Sequence, residues 1–284
     1  MKLTSIRVVK TIKPNCSQIR SSLQMQKDHV ITSLKSKALR NLLYRSAYDD
    51  CVKHYAKNVN TPVSVLHCGA SLGEEHKDYL DLGIKNVFWN EAQPSLVSKL
   101  MQLFGSEYVF PGVVTNSDNV LVDFYLTDNS LSSSSRAINP NNQWGIKISD
   151  VIKVRTITLE TILRKIQVRT NKLPQLIVLD LQGGELEALE NCKIAFTNQL
   201  DFVVEMSRNA IYENQKTESE VIDFFESLGY KLVYPKKKKD HYDALFLAPN
   251  SRVRYYKKTR LLKRFLSKKK SDLIDLLYAL KRIG

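Results

Sequence analysis

Apolar positions along the chain follow two periods. Short β-type runs fall at 63–66, 87–89, 108–114, 120–126, 151–156, 176–181, 202–205, 230–234 and 244–247. Between several of them, at 74–82, 95–104, 159–168, 185–191 and 218–228, apolar residues recur three and four apart, the spacing of a helix with one buried side. In the first of these helices Tyr79, Leu80 and Leu82 are the expected buried side; in the second, Leu96, Val97, Leu100, Leu103 and Phe104. Strands alternating with helices predict an α/β fold with a mainly parallel sheet and crossovers of the usual hand. No helix separates the last two strands, so one of them is expected to run antiparallel at or near an edge.

Local signals mark the joints. Pro94 suits a first-turn position, Thr158 an N-cap, and Gly229 a helix stop. The polar tetrad 116–119 reads as a tight turn, predicting a hairpin between its flanking strands. Residues 127–145 form a long polar loop holding four consecutive serines, 132–135. A loop of this length is either functional, as a lid or substrate loop, or a flexible linker.

The stretch 61–94 organises the rest. A strand leads into the glycine turn Gly69-Ala70-Ser71-Leu72-Gly73, then a helix, then a second strand ending on Glu91. Glycines let the backbone turn sharply and let a ligand approach. A helix starting near Gly73 is expected to aim N–H groups at that space, which favours an anion. Glu91 lies 18 positions after Gly73. That is close to the offset of about 20 at which an acid in such folds holds ribose hydroxyls. The unit predicts a nucleoside-containing cofactor; the competing reading is an ordinary βαβ turn with a surface Glu. Glu91, Asp180 and Glu205 each stand at a strand's C-terminal end, where open sheets of this kind place their ligands.

Charge divides the chain in three. Residues 1–60 carry 12 Lys and Arg against 3 Asp and Glu, and residues 250–284 carry 12 against 2. The net +14 therefore sits in the ends, and the middle is mildly acidic. This gives a basic helical N-terminal extension (1–60), a central domain (61–249) and a basic amphipathic C-terminal helix (250–284). The N-terminal extension reads as a helical cap on the core or a separate interaction segment. The C-terminal helix suits packing against the core or a second copy, an anionic membrane surface or, less well, nucleic acid. The four cysteines are scattered without a C-x-x-C pair, so neither a zinc site nor a disulfide framework is expected. The opening residues lack the apolar run of a signal peptide and no run suffices to span a bilayer, so a cytoplasmic location is expected, with a peripheral membrane contact through the C-terminal arm as an option.

In order and spacing, VLHCGASLGEE, NEAQP, the serine cluster, VRTITLETIL, IVLDLQGGELEALENC and DFVVEMS resemble the FkbM-type methyltransferase family over 61–248. The resemblance implies a class I, Rossmann-like methyltransferase fold with seven strands, dependent on S-adenosylmethionine (SAM), and O-methylation of a glycan or polar small molecule. By the same resemblance Gly69, Ala70 and Gly73 cradle the methionine end of SAM and Glu91 holds the ribose. The turn at Ser117 and Asp118 lies near the adenine, and Asp180 faces the methyl group and the acceptor. Two positions depart from the family pattern. His67 stands where an acid is usual, and is expected to order the glycine turn or face the amino end of SAM. Gln182 stands where Glu is more frequent.

Transfer from a sulfonium is an in-line displacement, so alignment dominates and a general base assists. Asp180 is the first candidate for that base, or else a positioner of the acceptor; Glu205 and His241 follow. Exposure to solvent is the competing reading for His241. Ser133, Ser134 and Gln182 are candidates for the substrate side. Asp180, Glu185 and Glu205 offer oxygen ligands, yet their spacing does not call for a metal and none is predicted. The alternative function is a methyltransferase-fold binding protein without activity, docking on membrane or polyanion through its basic arms.

Overall fold

The computed structural model describes residues 47–56, 64–128, 131–140, 145–234 and 240–251. The C-terminal basic helix and most of the N-terminal extension lie outside these residues. Seven strands form the main sheet: β1 (Ser64–Cys68), β2 (Asn86–Glu91), β3 (Val109–Pro111), β7 (Leu176–Leu179), β8 (Asp201–Ser207), β9 (Lys231–Tyr234) and β10 (His241–Leu247). Their order is β3-β2-β1-β7-β8-β10-β9. β10 runs antiparallel to both its neighbours and the other pairs are parallel. The antiparallel strand expected near an edge is thus β10, one position in. A smaller sheet, β4-β6-β5, is made by β4 (Val113–Thr115), β5 (Leu121–Thr127) and β6 (Ile148–Thr158).

Alternation along the central strands divides the core. Leu66 and Cys68 of β1, with Ile177 and Leu179 of β7, pack on one side with Ile162 and Ile166. The last two belong to α4 (Leu159–Thr170), whose N-cap Thr158 accepts a bond from Thr161 N at 3.1 Å. Val65, Leu176 and Val178 face the other side. There they meet Tyr79 of α2 (His76–Asp81), and Val97 and Leu100 of α3 (Pro94–Phe104). Period-two side chains force this division, since neighbours along a strand point to opposite faces.

The last part of the N-terminal extension is a helix, α1 (Ala47–Ala56), whose Cys51, Val52 and Tyr55 are buried in the second layer. The Tyr55 hydroxyl donates to Asp201 Oδ2 at 3.0 Å. Asp201 also accepts from Ala248 N and from Ser251 Oγ, both at 2.8 Å. One carboxylate therefore joins the start of the folded domain to the end of its last strand. Cys51, Cys68 and Cys192 are buried thiols. Among the described residues no helix is long and apolar enough to cross a membrane.

Four local expectations change. The 108–114 run is two strands, because Gly112 (φ 129°) turns the chain out of the main sheet and into the small one. The turn at 116–119 closes no hairpin: β4 and β5 do not pair but both flank β6, one parallel and one antiparallel. Leu80 (49% exposed) and Leu103 (64% exposed) face solvent, their helices burying narrower stripes than the sequence suggests. The first helix of the central domain starts at His76, not near Gly73, and has six residues. Ala70–Glu75 is spent on turns, with Gly73 N donating to Ala70 O and His76 N to Gly73 O, so the helix start is displaced from the glycine turn.

Candidate active site

The glycine turn is tied to the end of β2. Gly69 N and Ala70 N both donate to Asn90 O, at 3.1 and 2.9 Å. Ser71 N donates to Glu91 Oε2 at 2.8 Å, while Ala92 N and Gln93 N donate to Oε1, each at 2.8 Å. Burial pushes the Glu91 carboxyl upward and these N–H groups oppose it. Three of the four acceptor positions of the carboxylate are then filled, leaving one on Oε2. Asn90 is held in turn, its Nδ2 donating to Phe110 O and Gly112 O.

The same turn presses on the end of β7. Asp180 N donates to Cys68 O at 3.1 Å, and a Cβ on Gly69 would stand 1.7 Å from Asp180 O. With φ at 83°, glycine is required there twice over. Glu91 and Asp180 are thereby fixed on either side of one turn. Gly73 matters for packing instead, since its missing side chain makes room for the Phe104 ring, 2.7 Å from a hypothetical Cβ.

Beyond β7 the chain turns through Gln182 (φ 55°) and Gly183 (φ 98°) into α5 (Glu185–Leu189). Gln182 Nε2 donates to Asp180 Oδ1 at 2.6 Å and to Glu205 Oε2 at 2.7 Å. Glu205 Oε1 lies 2.8 Å from His241 Nε2, and His241 Nδ1 lies 2.7 Å from Ser207 Oγ. The three catalytic candidates, Asp180, Glu205 and His241, thus form one chain of contacts through Gln182. His241 is half-buried and engaged, which corrects the solvent-exposed reading. Glu185 closes the turn from below, its Oε1 accepting from Leu181 N and Gly183 N.

The charges of this chain are set by mutual influence. Burial, then the charges of Glu205 and Asp243, hold the Asp180 carboxyl well above the usual range. Burial also acts on Glu205, but the charge and hydrogen bond of His241 outweigh it and keep Glu205 ionised below its ordinary value. His241 loses by burial and gains more from Glu205, ending at about 9. Burial and the Glu205 charge raise Glu185 to about 7. The two carboxyls are thus pushed apart, Asp180 toward holding its proton and Glu205 toward losing it, with His241 as the cation beside Glu205. Among the described residues no group of three His, Cys, Asp or Glu is arranged to hold a metal ion.

The serine loop reaches this network. Ser134, buried, donates through Oγ to Gln182 O at 2.8 Å and is bridged to Tyr125 of β5. Ser133 Oγ instead holds the loop's own base, accepting from Thr127 N at 3.2 Å. Tyr212, absent from the sequence candidates, donates to Gln182 Oε1 at 2.6 Å, with Ser132 O at 3.0 Å. Burial raises its phenol, so the proton needed for this bond stays in place. The sequence signal for Tyr212 is an aromatic residue beside Ile211 in a mostly polar connection.

Three cofactor candidates lie apart from this network. His67 is 2% exposed, packed between Trp89 and Tyr79 with Nδ1 3.2 Å from the Tyr79 hydroxyl. Burial lowers its pKa to about 3, so it is a neutral core residue joining β1 to α2, not a group facing the site. Asp118 accepts from Thr158 N, Thr158 Oγ1 and Thr161 Oγ1, locking the 116–119 turn onto the start of α4. Ser117 lies in that turn, its N donating to Thr115 Oγ1.

Across this whole arrangement, residues 67–232 match the methyltransferase FkbM domain. The chain belongs to that family. The FkbM domain covers the glycine turn, Glu91, the serine loop, Asp180, Glu205 and Tyr212, and ends before β10, which supplies His241. No curated protein matches the chain. Among solved structures, a TehB-like SAM-dependent methyltransferase from Corynebacterium glutamicum is 12% identical with a TM-score of 0.38, the match covering 77% of this chain and 98% of that one. A 1,6-didemethyltoxoflavin-N1-methyltransferase from Burkholderia thailandensis, bound to S-adenosylhomocysteine, is 13% identical with a TM-score of 0.34, covering 84% and 92%.

The FkbM domain here is a SAM-dependent methyltransferase by family and by fold. Its residues suit that cofactor. Glu91 Oε2 keeps one acceptor position, which a ribose hydroxyl would fill. Among the described residues no cation pairs with Glu91.

Proposed function

We propose that this FkbM domain transfers the methyl group of SAM to a hydroxyl oxygen on a glycan or polar small molecule. The observation that carries the reading is the Asp180–Gln182–Glu205–His241 chain, built at the C-terminal ends of β7 and β8 and touching the glycine turn through Asp180. Gly69, Ala70 and Glu91 would hold the cofactor, with Asp180 on the other wall and the turn of Ser117 and Asp118 serving the adenine. When bound, SAM supplies an electrophilic methyl on a sulfonium, displaced in line by the acceptor oxygen.

The residues of the chain handle the acceptor's proton. Glu205, kept ionised beside His241, accepts the acceptor's proton as the new oxygen–carbon bond forms. His241 is then a cation whose counter-charge has gone. With a third of its side chain exposed, it releases its proton to water and restores neutrality. Ser134 and Tyr212 hold Gln182 in place, so the two carboxylates stay aligned.

The test joins calorimetric titration of the full chain with SAM to transfer of labelled methyl onto a panel of hydroxylated acceptors. Wild type is expected to bind SAM at micromolar concentration. Glu205→Gln is expected to keep that binding and lose transfer. A well-folded wild-type protein that binds no SAM at millimolar concentration ends the methyltransferase reading.

A further inference from the structure

The serine loop and the connection after β8 are joined into one piece above Gln182. Ile138 is bridged to Tyr212 in antiparallel sense, Glu213 N donates to Ala137 O at 2.8 Å, and Asn139 N donates to Ile211 O at 2.9 Å. Both contacts that this piece makes with Gln182, from Ser134 Oγ and from the Tyr212 hydroxyl, therefore depend on where it sits.

Arg136 fastens the piece to α5. Its NH2 pairs with Glu187 Oε2 at 2.7 Å, while NH1 donates to Asn214 O at 3.1 Å and to Glu213 O at 3.4 Å. Its backbone N donates to Ser134 Oγ at 3.0 Å, the hydroxyl that donates onward to Gln182 O. Its stem lies across the turn into α5: a Cβ on Gly183 would stand 3.3 Å from Arg136 Cδ and 3.1 Å from the Tyr212 ring. One side chain thus touches the serine loop, the connection that carries Tyr212 and the turn that carries Gln182.

The guanidinium is enclosed rather than offered to a ligand. Its side chain is 18% exposed, and Nε is buried without a partner among the described residues. A buried donor left unpaired is costly. What the arginine supplies against that cost is a planar fork, which holds a carboxylate and two carbonyls at once where the compact ammonium of a lysine does not span them.

The arrangement it holds is a strained one. Gln182 has φ 55°, in the left-handed region that side-chain-bearing residues seldom occupy, and it persists because its surroundings fix it. In that conformation Oε1 meets the Tyr212 hydroxyl at 2.6 Å, and Nε2 reaches Asp180 Oδ1 and Glu205 Oε2 together. A turn free to relax would carry the amide away from both carboxylates.

We propose that Arg136 is a positioning residue for methyl transfer: by clamping Glu187 and the carbonyls of Glu213 and Asn214, it holds Tyr212 and the Gly183 turn where Gln182 gives its amide N–H groups to Asp180 and Glu205. Its effect on rate rests on the methyltransferase reading; its hold on the Gln182 amide does not.

The experiment is NMR of side-chain amides on the nitrogen-labelled full chain, with Gln182→Ala identifying the Gln182 signal. Wild type is compared with Arg136→Met and Glu187→Ala. The first removes the guanidinium and the second its anchor on α5, so one stands if the other misfolds. In each variant the Gln182 amide hydrogens are expected to exchange with water at least about tenfold faster, while SAM affinity by calorimetry stays within about twofold. Arg136→Lys is expected to restore only part of the protection. Wild-type exchange in folded Arg136→Met or Glu187→Ala protein overturns the proposal. On any acceptor that takes labelled methyl, Arg136→Met is expected to transfer about tenfold more slowly at saturating SAM, with the acid limb of its pH profile moved upward, because carboxylates without the amide N–H groups keep their protons to higher pH. An unmoved profile overturns the proposal as well. A wild type that binds no SAM ends the methyltransferase reading alone, and the amide exchange still decides what Arg136 holds.

Discussion

His241 Nε2 stands 2.8 Å from Glu205 Oε1, a contact between residues 36 positions apart in the chain. It exists because β10 returns antiparallel beside β8, setting His241 opposite Ser207. The cationic ring donates from Nδ1–H to Ser207 Oγ, which orients it, and Glu205, with Asp243 and Glu185, gives the imidazole its cationic state.

That state predicts a pH dependence of stability. His241 titrates near 9 when folded and near its ordinary 6.5 when unfolded, so its contribution is full below about 6.5 and is lost as pH rises through 9. Asp243 and Glu185 add negative charge around the ring and act in the same direction. Thermal unfolding from pH 6 to 10 is expected to show a falling midpoint in wild type and a flatter profile in His241→Gln. Identical profiles would remove the ion pair from the account.

The two glycines of the turn are expected to differ. Gly69→Ala puts a Cβ against a backbone carbonyl that cannot move aside, at a positive φ, and should cost more than about 3 kcal/mol. Gly73→Ala meets the edge of the Phe104 ring, which can shift, and should cost about 1–2 kcal/mol. Urea denaturation of both variants checks the order.

Glu91 holds the turn and, in the proposed function, the cofactor. Glu91→Ala strands the N–H groups of Ser71, Ala92 and Gln93 and removes the ribose contact. SAM affinity measured by calorimetry is expected to fall at least about tenfold, with stability down by about 1–3 kcal/mol. Unchanged affinity in a folded Glu91→Ala protein would place the ribose elsewhere.

Tyr212→Phe takes away the O–H that fixes the Gln182 amide with its donors toward the carboxylates. A turned amide would aim its oxygen at Asp180 and Glu205 and favour their protonated forms. The acid limb of the activity profile is expected to move to higher pH in the variant, while SAM affinity stays within about twofold. A profile that drops in height without moving would reduce Tyr212 to packing.

Asp201→Ala unties α1 from the residues after β10, stranding Ala248 N and leaving the Tyr55 hydroxyl only its longer contact to Gln175 O. A loss of about 2–3 kcal/mol is expected, against about 1 kcal/mol for Tyr55→Phe. Hydrogen exchange in 47–56 should rise in both.

Much of this was legible from local pattern. The strand runs, the N-cap at Thr158, the glycine turn and the acids Glu91, Asp180 and Glu205 all rest on short-range features: period, capping and turn chemistry act over a few residues. What misled was also local. Leu80 and Leu103 are apolar at helical spacing, yet exposure depends on what faces them. His67 beside the glycines suggested a ligand contact, but alternation along β1 sends its side chain to the aromatic layer with Tyr79 and Trp89.

The sequence alone determined the elements, their α/β order and the strand-end acids, because backbone hydrogen bonding and amphipathic period are written in neighbouring residues. Tertiary structure decided the rest. Strand order brought His241 to Glu205, the touching turns brought Gly69 to Asp180, and the serine loop and Tyr212 closed on Gln182. Those contacts join residues far apart in the chain, and the charges of Asp180, Glu205 and His241 exist only once burial and proximity have set them against one another.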